Sequence, residues 1–440
     1  MRCARWRGVC AALAVTASLI APVAAGVAPV AAGPVAYAAP GTRTAGGVFA
    51  AADPSPLPSP SPSAEDGAFA ELTPEVAARL DAAVRQVMRE TGTPGVTVGL
   101  WAPEKGEYVR SFGVADKATD APMDPGLFTR IGSVTKTFTV TALLELVDRG
   151  EVGLDDPIGQ YVDGVPNGDR ITLRELAGMR SGLFNYSEDD SFDKALTTDP
   201  EGYFSPQELL NFSFRHPVNF APGAEFEYSN TNLILLGLVV EKVGGIPLDQ
   251  FIERNVLEPA GLAHTSFPSG TEFPSPHAHG YTDQTASGAI EDSTGWNSSW
   301  AWAAGAMVSD LQDLRRWARI LATGTLLEPA TQAERLKTGP TPAPGVGYGL
   351  GVFAVHGWVG HNGSLPGYET VTMYLPQARA TMVILLNTDV SHDGTEPSTL
   401  FATAVTEIVS PDHVYELPQS PTAPSRSPGP SAPSRSPAAP

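Results

Sequence analysis

Apolar residues first fall into a helical period in PEVAARLDAAVRQVMRE, which follows Thr73, a good N-cap, and opens on Pro74, a residue suited to the first helical turn. The runs GVTVGLWA and EYVRSFGVA come next, rich in β-formers and separated by Pro103 to Gly106, which predicts a hairpin. From about Phe128 to Gly324 the period returns to helical in TFTVTALLELVDRG, TLRELAGM, TNLILLGLVVEKVGG and DLQDLRRWARILATG, joined by long connections containing Pro and Gly. Four short β-rich runs follow, VGYGLGVFAV, GWVGHNG, YETVTMYLP and ATMVILLNT, before SHDGTEPSTLFATAVTEIV becomes helical again. The pattern predicts an α/β (α+β) domain: a sheet built from both ends of the chain and flanked by terminal helices, with a mostly helical lobe between them.

The ends read differently from this core. Residues 1–38 carry Arg2, Arg5 and Arg7 ahead of an apolar, alanine-rich run and end on Ala36-Tyr37-Ala38, the features of a cleaved secretion signal. Pro22 and Gly26 keep that run shorter than the ~20 residues of a spanning helix, so stable membrane insertion is not expected and a secreted or wall-associated location is. Both cysteines, Cys3 and Cys10, lie in this segment, which excludes thiol chemistry and cysteine-held metals from the mature chain. Residues 39–72 read as a linker rich in Pro, Ala and Ser, residues 73–416 as the folded domain, and residues 417–440 as a disordered Pro/Ser-rich tail. The formal charge of −20 repels nucleic acid, and removing the three leader arginines makes the remainder more negative still.

Ser133 and Lys136 stand one helical turn apart at the start of an apolar helix, where their side chains can meet. A serine hydroxyl becomes a useful nucleophile when a neighbouring base takes its proton, and a lysine serves if burial leaves its amine neutral. The spacing alone is a weak sign, because Ser191 and Lys194 repeat it in the acidic stretch YSEDDSFDKAL, where an exposed lysine paired with Asp189, Asp190 or Asp193 would stay charged. Tyr228-Ser229-Asn230 stands at the mouth of the helix TNLILLGLVV, a position that a simple cap would also occupy. In VGHNGSLPGY, strand alternation puts His361 and Gly363 on one face and lets a substrate approach the glycine backbone.

Together and in this order, these three motifs resemble those of the serine penicillin-recognising hydrolases, the D-alanyl-D-alanine carboxypeptidases and class C β-lactamase-like enzymes. The resemblance extends through RIGSVTKTFT, LRELAGMRSGL, APGAEFEYSNTNLILLGLVVEKVGG, SWAWAAGAMVSDLQDL and GYGLGV, and covers about Thr73 to Val409. It implies a β-lactamase/penicillin-binding-protein-like fold with the site between the sheet lobe and the helical lobe. It also implies acylation at Ser133, proton transfer by Lys136 and Tyr228, and substrate contacts from Asn230 and Trp300. The backbone N–H groups of Ser133 and Ser364 would form an oxyanion hole beside Gly363. His361 would replace the lysine of many relatives and make the local charge depend on pH near neutrality.

One departure bears on substrate. After GYGLG the similar carboxypeptidases carry an arginine cluster for a terminal carboxylate, whereas Val352 to His356 follow here. The expected activity is that of a D-alanyl-D-alanine carboxypeptidase acting on cell-wall peptides, with peptidoglycan as its wider partner. The rivals are an esterase, amidase or β-lactamase of the same fold, and a non-catalytic protein that binds the wall or β-lactams. No cofactor is implied. His277 and His279 lack the further ligands a metal site needs, and no nucleophile elbow, P-loop or dinucleotide fingerprint occurs.

Overall fold

Thr73 caps helix α1 (Pro74–Thr91), its hydroxyl accepting from Val76 N at 3.3 Å, and the helix closes on Gly92 in the left-handed conformation. The computed structural model describes residues 68–417, all within one compact unit. The expected leader 1–38, both cysteines and residues 418–440 of the tail lie outside the described residues. The linker boundary at residue 72 needs correction. Phe69 is buried edge-on against Trp358 at 6.5 Å, and Ala70 N donates to Val409 O at 2.7 Å, so the packed domain already includes residues 68–72.

Nine strands form one antiparallel sheet. In chain order they are β1 (Gly95–Ala102), β2 (Gly106–Asp116), β3 (Ala121–Pro122), β4 (Gly339–Pro340), β5 (Val346–Tyr348), β6 (Phe353–Val355), β7 (Trp358–Leu365), β8 (Tyr368–Leu375) and β9 (Ala380–Leu386). Their order across the sheet is β3-β2-β1-β9-β8-β7-β6-β5-β4, so the two ends of the chain join where Val96 and Val98 of β1 oppose Leu386 and Ile384 of β9. The single run VGYGLGVFAV splits into β5 and β6, with a turn at Gly349 to Val352 between them.

Strands β1, β8 and β9 are buried at every position, which requires cover on both faces. Helix α1 and the closing helix (Pro397–Val409) pack together on one face. The helix Leu311–Thr323, expected in the helical lobe from its periodicity, packs on β7, β8, β9 and β1 instead. An amphipathic stripe states that a helix has a buried face but not which surface buries it.

The helical lobe is centred on α2 (Thr135–Asp148) and α3 (Asn230–Gly244), which pack against each other. Both are buried nearly all round, so they read as uniformly apolar rather than striped. Trp317 of Leu311–Thr323 stacks on Phe138 at 4.0 Å and donates from its indole N–H to Thr137 Oγ1 at 2.7 Å, which ties α2 to the sheet layer. Among the described residues no single helix is long and apolar enough to cross a membrane.

Candidate active site

Ser133 lies in the 3₁₀ turn Gly132–Val134 that runs directly into α2, so its side chain stands at the head of a helix wedged between the two lobes. Lys136 is buried, and its Nζ donates to Ser133 Oγ at 2.8 Å and to the carbonyl of Ala304 at 2.7 Å. The predicted meeting of the two side chains is therefore present, with a backbone acceptor that no sequence motif could announce.

Tyr228 arrives from the other side of the lobe, two residues before α3, and its ring centre lies 4.9 Å from Lys136 Nζ. The ring is parallel to Phe353 at 6.3 Å, and Tyr348 meets it edge-on at 6.3 Å. Phe353 opens β6, in the segment where an arginine was missing from the sequence. That wall of the site is aromatic.

The third motif, on β7, presses its backbone against the Ser133 turn. A Cβ on Gly363 would sit 2.1 Å from Ile131 O and 2.8 Å from Ser133 N, and a Cβ on Gly132, at φ +51°, would sit 2.7 Å from Ser364 N. Only two glycines permit this approach, and through it the amides of Ser133 and Ser364 come to the same place.

His361 is buried on this strand, in contact range of Tyr228 at 6.2 Å between ring centres. Its Nδ1 lies against the carbonyl of Asn362, which only accepts, so Nδ1 carries the proton and Nε2 accepts from the Tyr348 hydroxyl at 3.2 Å. Burial, followed by the nearby Lys136 charge, pushes the imidazole down to about 3. The expectation that His361 would switch charge near neutrality is overturned: two adjacent cationic groups in a dry site are disfavoured, and the histidine remains neutral.

A small cleft opens at Ser133 and is lined also by Asn230, Trp300, Ser364, Tyr186, Ser187, Ala301, Ala304, Gly305 and Leu365. None of these is charged. Asn230 donates from Nδ2 to Ser187 Oγ at 3.1 Å, and its backbone N–H donates to Asn185 Oδ1 at 3.0 Å. The backbone carbonyl of Trp300 accepts from the Tyr186 hydroxyl at 2.7 Å. Asn185, Tyr186 and Ser187 were missed because they sit beside an acidic run that looked exposed. Tyr348 was visible only as part of GYGLGV.

Ser191 and Lys194, the second pair at this spacing, are both exposed. Ser191 Oγ bonds Asp189 Oδ1 and accepts from Arg215 at 2.8 Å, while Asp189 pairs with His216 at 2.7 Å rather than with Lys194. The stretch is also less exposed than its composition suggests, since Tyr186, Ser187, Asp189 and Phe192 are buried. His277 donates from Nδ1 to Pro274 O at 2.8 Å and His279 pairs with Asp292, and no metal-binding cluster occurs among the described residues.

This arrangement can transfer an acyl group. Once the Lys136 ammonium has given up its proton, its amine can take the Ser133 proton, the alkoxide can attack a carbonyl in the cleft, and two backbone amides can face the oxygen that becomes negative.

Residues 80–404 match the Beta-lactamase family. The chain belongs to that family. It is a serine hydrolase of the beta-lactamase and penicillin-binding-protein type, and relatives within the family differ in what they cleave. A D-aminopeptidase of Brucella anthropi is 28% identical over 70% of this chain, which spans only 59% of that enzyme. The esterase EstB of Burkholderia gladioli is 27% identical, with 76% and 95% of the two chains covered. The crystal structure of a D-stereospecific amidohydrolase from Streptomyces sp. superimposes with a TM-score of 0.66 at 29% identity, covering 76% of this chain and 96% of that one.

Proposed function

We propose that this beta-lactamase-family protein hydrolyses small amides and esters whose flanks near the reacting carbonyl are uncharged, with D-configured amino-acid derivatives as the favoured class. Ser133 is the nucleophile, Lys136 and Tyr228 move its proton, and the amides of Ser133 and Ser364 hold the oxyanion. Asn230 and Trp300 contact the acyl side. Hydrolysis proceeds in two steps: Ser133 Oγ displaces the amine or alcohol, and water then releases the acid.

The observation that carries the substrate reading is the neutral wall beside Tyr228. Burial holds His361 in its neutral form, and Phe353 lies in the segment where similar carboxypeptidases carry a carboxylate-binding arginine. A buried carboxylate without a cation is strongly disfavoured, so a free C-terminus is poorly served there. The D-stereospecific amidohydrolase named above supports the stereochemical part of the reading. The leader-like pattern of residues 1–38 and the Pro-rich linker support a reading in which the enzyme acts outside the cell, where wall peptides are among its candidate substrates.

A D-alanyl-D-alanine carboxypeptidase is the second reading, favoured by the three motifs themselves. The two are separated by comparing kcat/KM for D-alanine p-nitroanilide, its L-isomer and p-nitrophenyl butyrate with release of D-alanine from diacetyl-L-Lys-D-Ala-D-Ala. Turnover of the D-anilide and the ester, with little release from the tripeptide, is expected. Faster cleavage of the tripeptide would overturn the proposal in favour of the carboxypeptidase. A stable benzylpenicillin adduct on Ser133 without turnover of any substrate would point to a binding protein.

A further inference from the structure

Behind the nucleophile, on the face of β7 opposite His361, two acidic side chains meet that acyl transfer does not use. Asn362 donates from Nδ2 to Glu396 Oε2 at 3.2 Å. Glu396 caps the closing helix, and Ser398 N in its first turn donates to Glu369 Oε2 at 2.7 Å. Glu369 is buried on β8, directly across from Ser364. Its other oxygen, Oε1, has no partner among the described residues.

We propose that Glu396 is a positioning residue for Ser133 chemistry, holding β7 and with it the Ser364 amide through Asn362, from a buried site that it shares with Glu369. The inference rests on the serine-hydrolase assignment of Ser133 and Ser364, and not on the identity of the acyl donor. Asn362 lies between His361, which meets Tyr348, and Gly363, which meets the Ser133 turn. A shift at Asn362 therefore moves the Ser364 amide relative to the oxyanion.

The pair needs a proton because of what surrounds it. The other ionisable groups facing it are Asp389 beyond β9, with Asp283 behind that, and Tyr415 from the C-terminal segment, and none of them is a cation. Burial first, and then Glu396, raise Glu369 well above the usual carboxylate range, and burial pushes Glu396 up to about 7. Part of Glu396 reaches solvent, which gives the proton a way out. When the second carboxyl ionises, two like charges share a dry site, and the outer one turns to water and leaves Asn362.

The test uses p-nitrophenyl acetate turnover from pH 5 to 10, corrected for spontaneous hydrolysis, for the wild type, Glu396→Gln and Asn362→Ser. The glutamine carbonyl still accepts from Asn362 but cannot ionise. The expected result is a several-fold fall in wild-type kcat centred near pH 7, with KM changing less, and a Glu396→Gln profile in which that fall is gone. Asn362→Ser should be low and flat over the same range. Superimposable alkaline limbs in the wild type and Glu396→Gln would overturn the proposal. Should Glu396→Gln not fold, a wild-type-height limb in Asn362→Ser would overturn it equally. Absence of wild-type turnover at every pH refutes the hydrolase reading instead, and the pair is then judged by Tm. A carboxyl raised from 4.5 to about 7 contributes stability that is present below the lower value and lost as pH rises through the upper one. Wild-type Tm should therefore fall across that window, and an identical slope in Glu396→Gln rules out the shared proton.

Discussion

Two stretches of this chain carry a serine and a lysine three residues apart at the start of a helix, and their fates differ. At Ser133 the lysine is buried under the second lobe, bonded to the serine and to the Ala304 carbonyl. At Ser191 the lysine points to solvent, and the serine is absorbed by Asp189 and Arg215. Helical spacing brings two side chains within reach, but reach is not reactivity. What separates the pairs is whether tertiary packing removes water from the lysine and brings a second strand's backbone against the hydroxyl's turn.

The sharpest way to break this comparison is to remove each hydroxyl. Ser133→Ala should abolish covalent labelling by benzylpenicillin or an activated ester and lower ester turnover by about 10³-fold or more. Ser191→Ala should leave labelling and turnover within twofold, and intact mass spectrometry with steady-state assays reads both. Removing the lysines should give a somewhat smaller contrast. Lys136→Ala should cost about 10² to 10⁴ in kcat, the range of a positioned general base, whereas Lys194→Ala changes nothing in the same assay.

The smallest effect concerns charge beside the buried pair. His361 should show no imidazole titration between pH 5 and 8 by NMR. The folded histidine resists protonation down to about 3 against an ordinary value of 6.5, so below about pH 6.5 the unfolded chain binds a proton that the folded chain does not. Stability should decline from there toward pH 3, and His361→Gln should lessen that decline in Tm. A His361 resonance titrating near 6.5 would restore a pH-switched site.

Much of the candidate site, as the fold brings it together, is legible because its signals are local. Ser133 and Lys136 announce themselves by helical spacing, Tyr228 and Asn230 by their place at a helix mouth, and Gly363 by alternation on a strand. What escaped has no local sign. The Ala304 carbonyl is a backbone atom. Tyr186 and Ser187 lie in a run whose acids suggested exposure, and only the three-dimensional course of the chain buries them. Phe69 reads as linker because one aromatic among Ala, Gly and Asp does not reveal that Trp358 packs against it. Leu311–Thr323 reads as part of the helical lobe because its stripe suits a helix partner as well as the sheet on which it packs.

The elements, the mixed fold and the three motifs are written locally in the chain, because hydrophobic period and glycine placement act over a few residues. The tertiary structure alone decided which Ser-x-x-Lys pair is dehydrated, that His361 is neutral, and that two carboxyls stand behind β7. Each of those depends on how much water and how many charges remain after segments far apart in the chain have packed together.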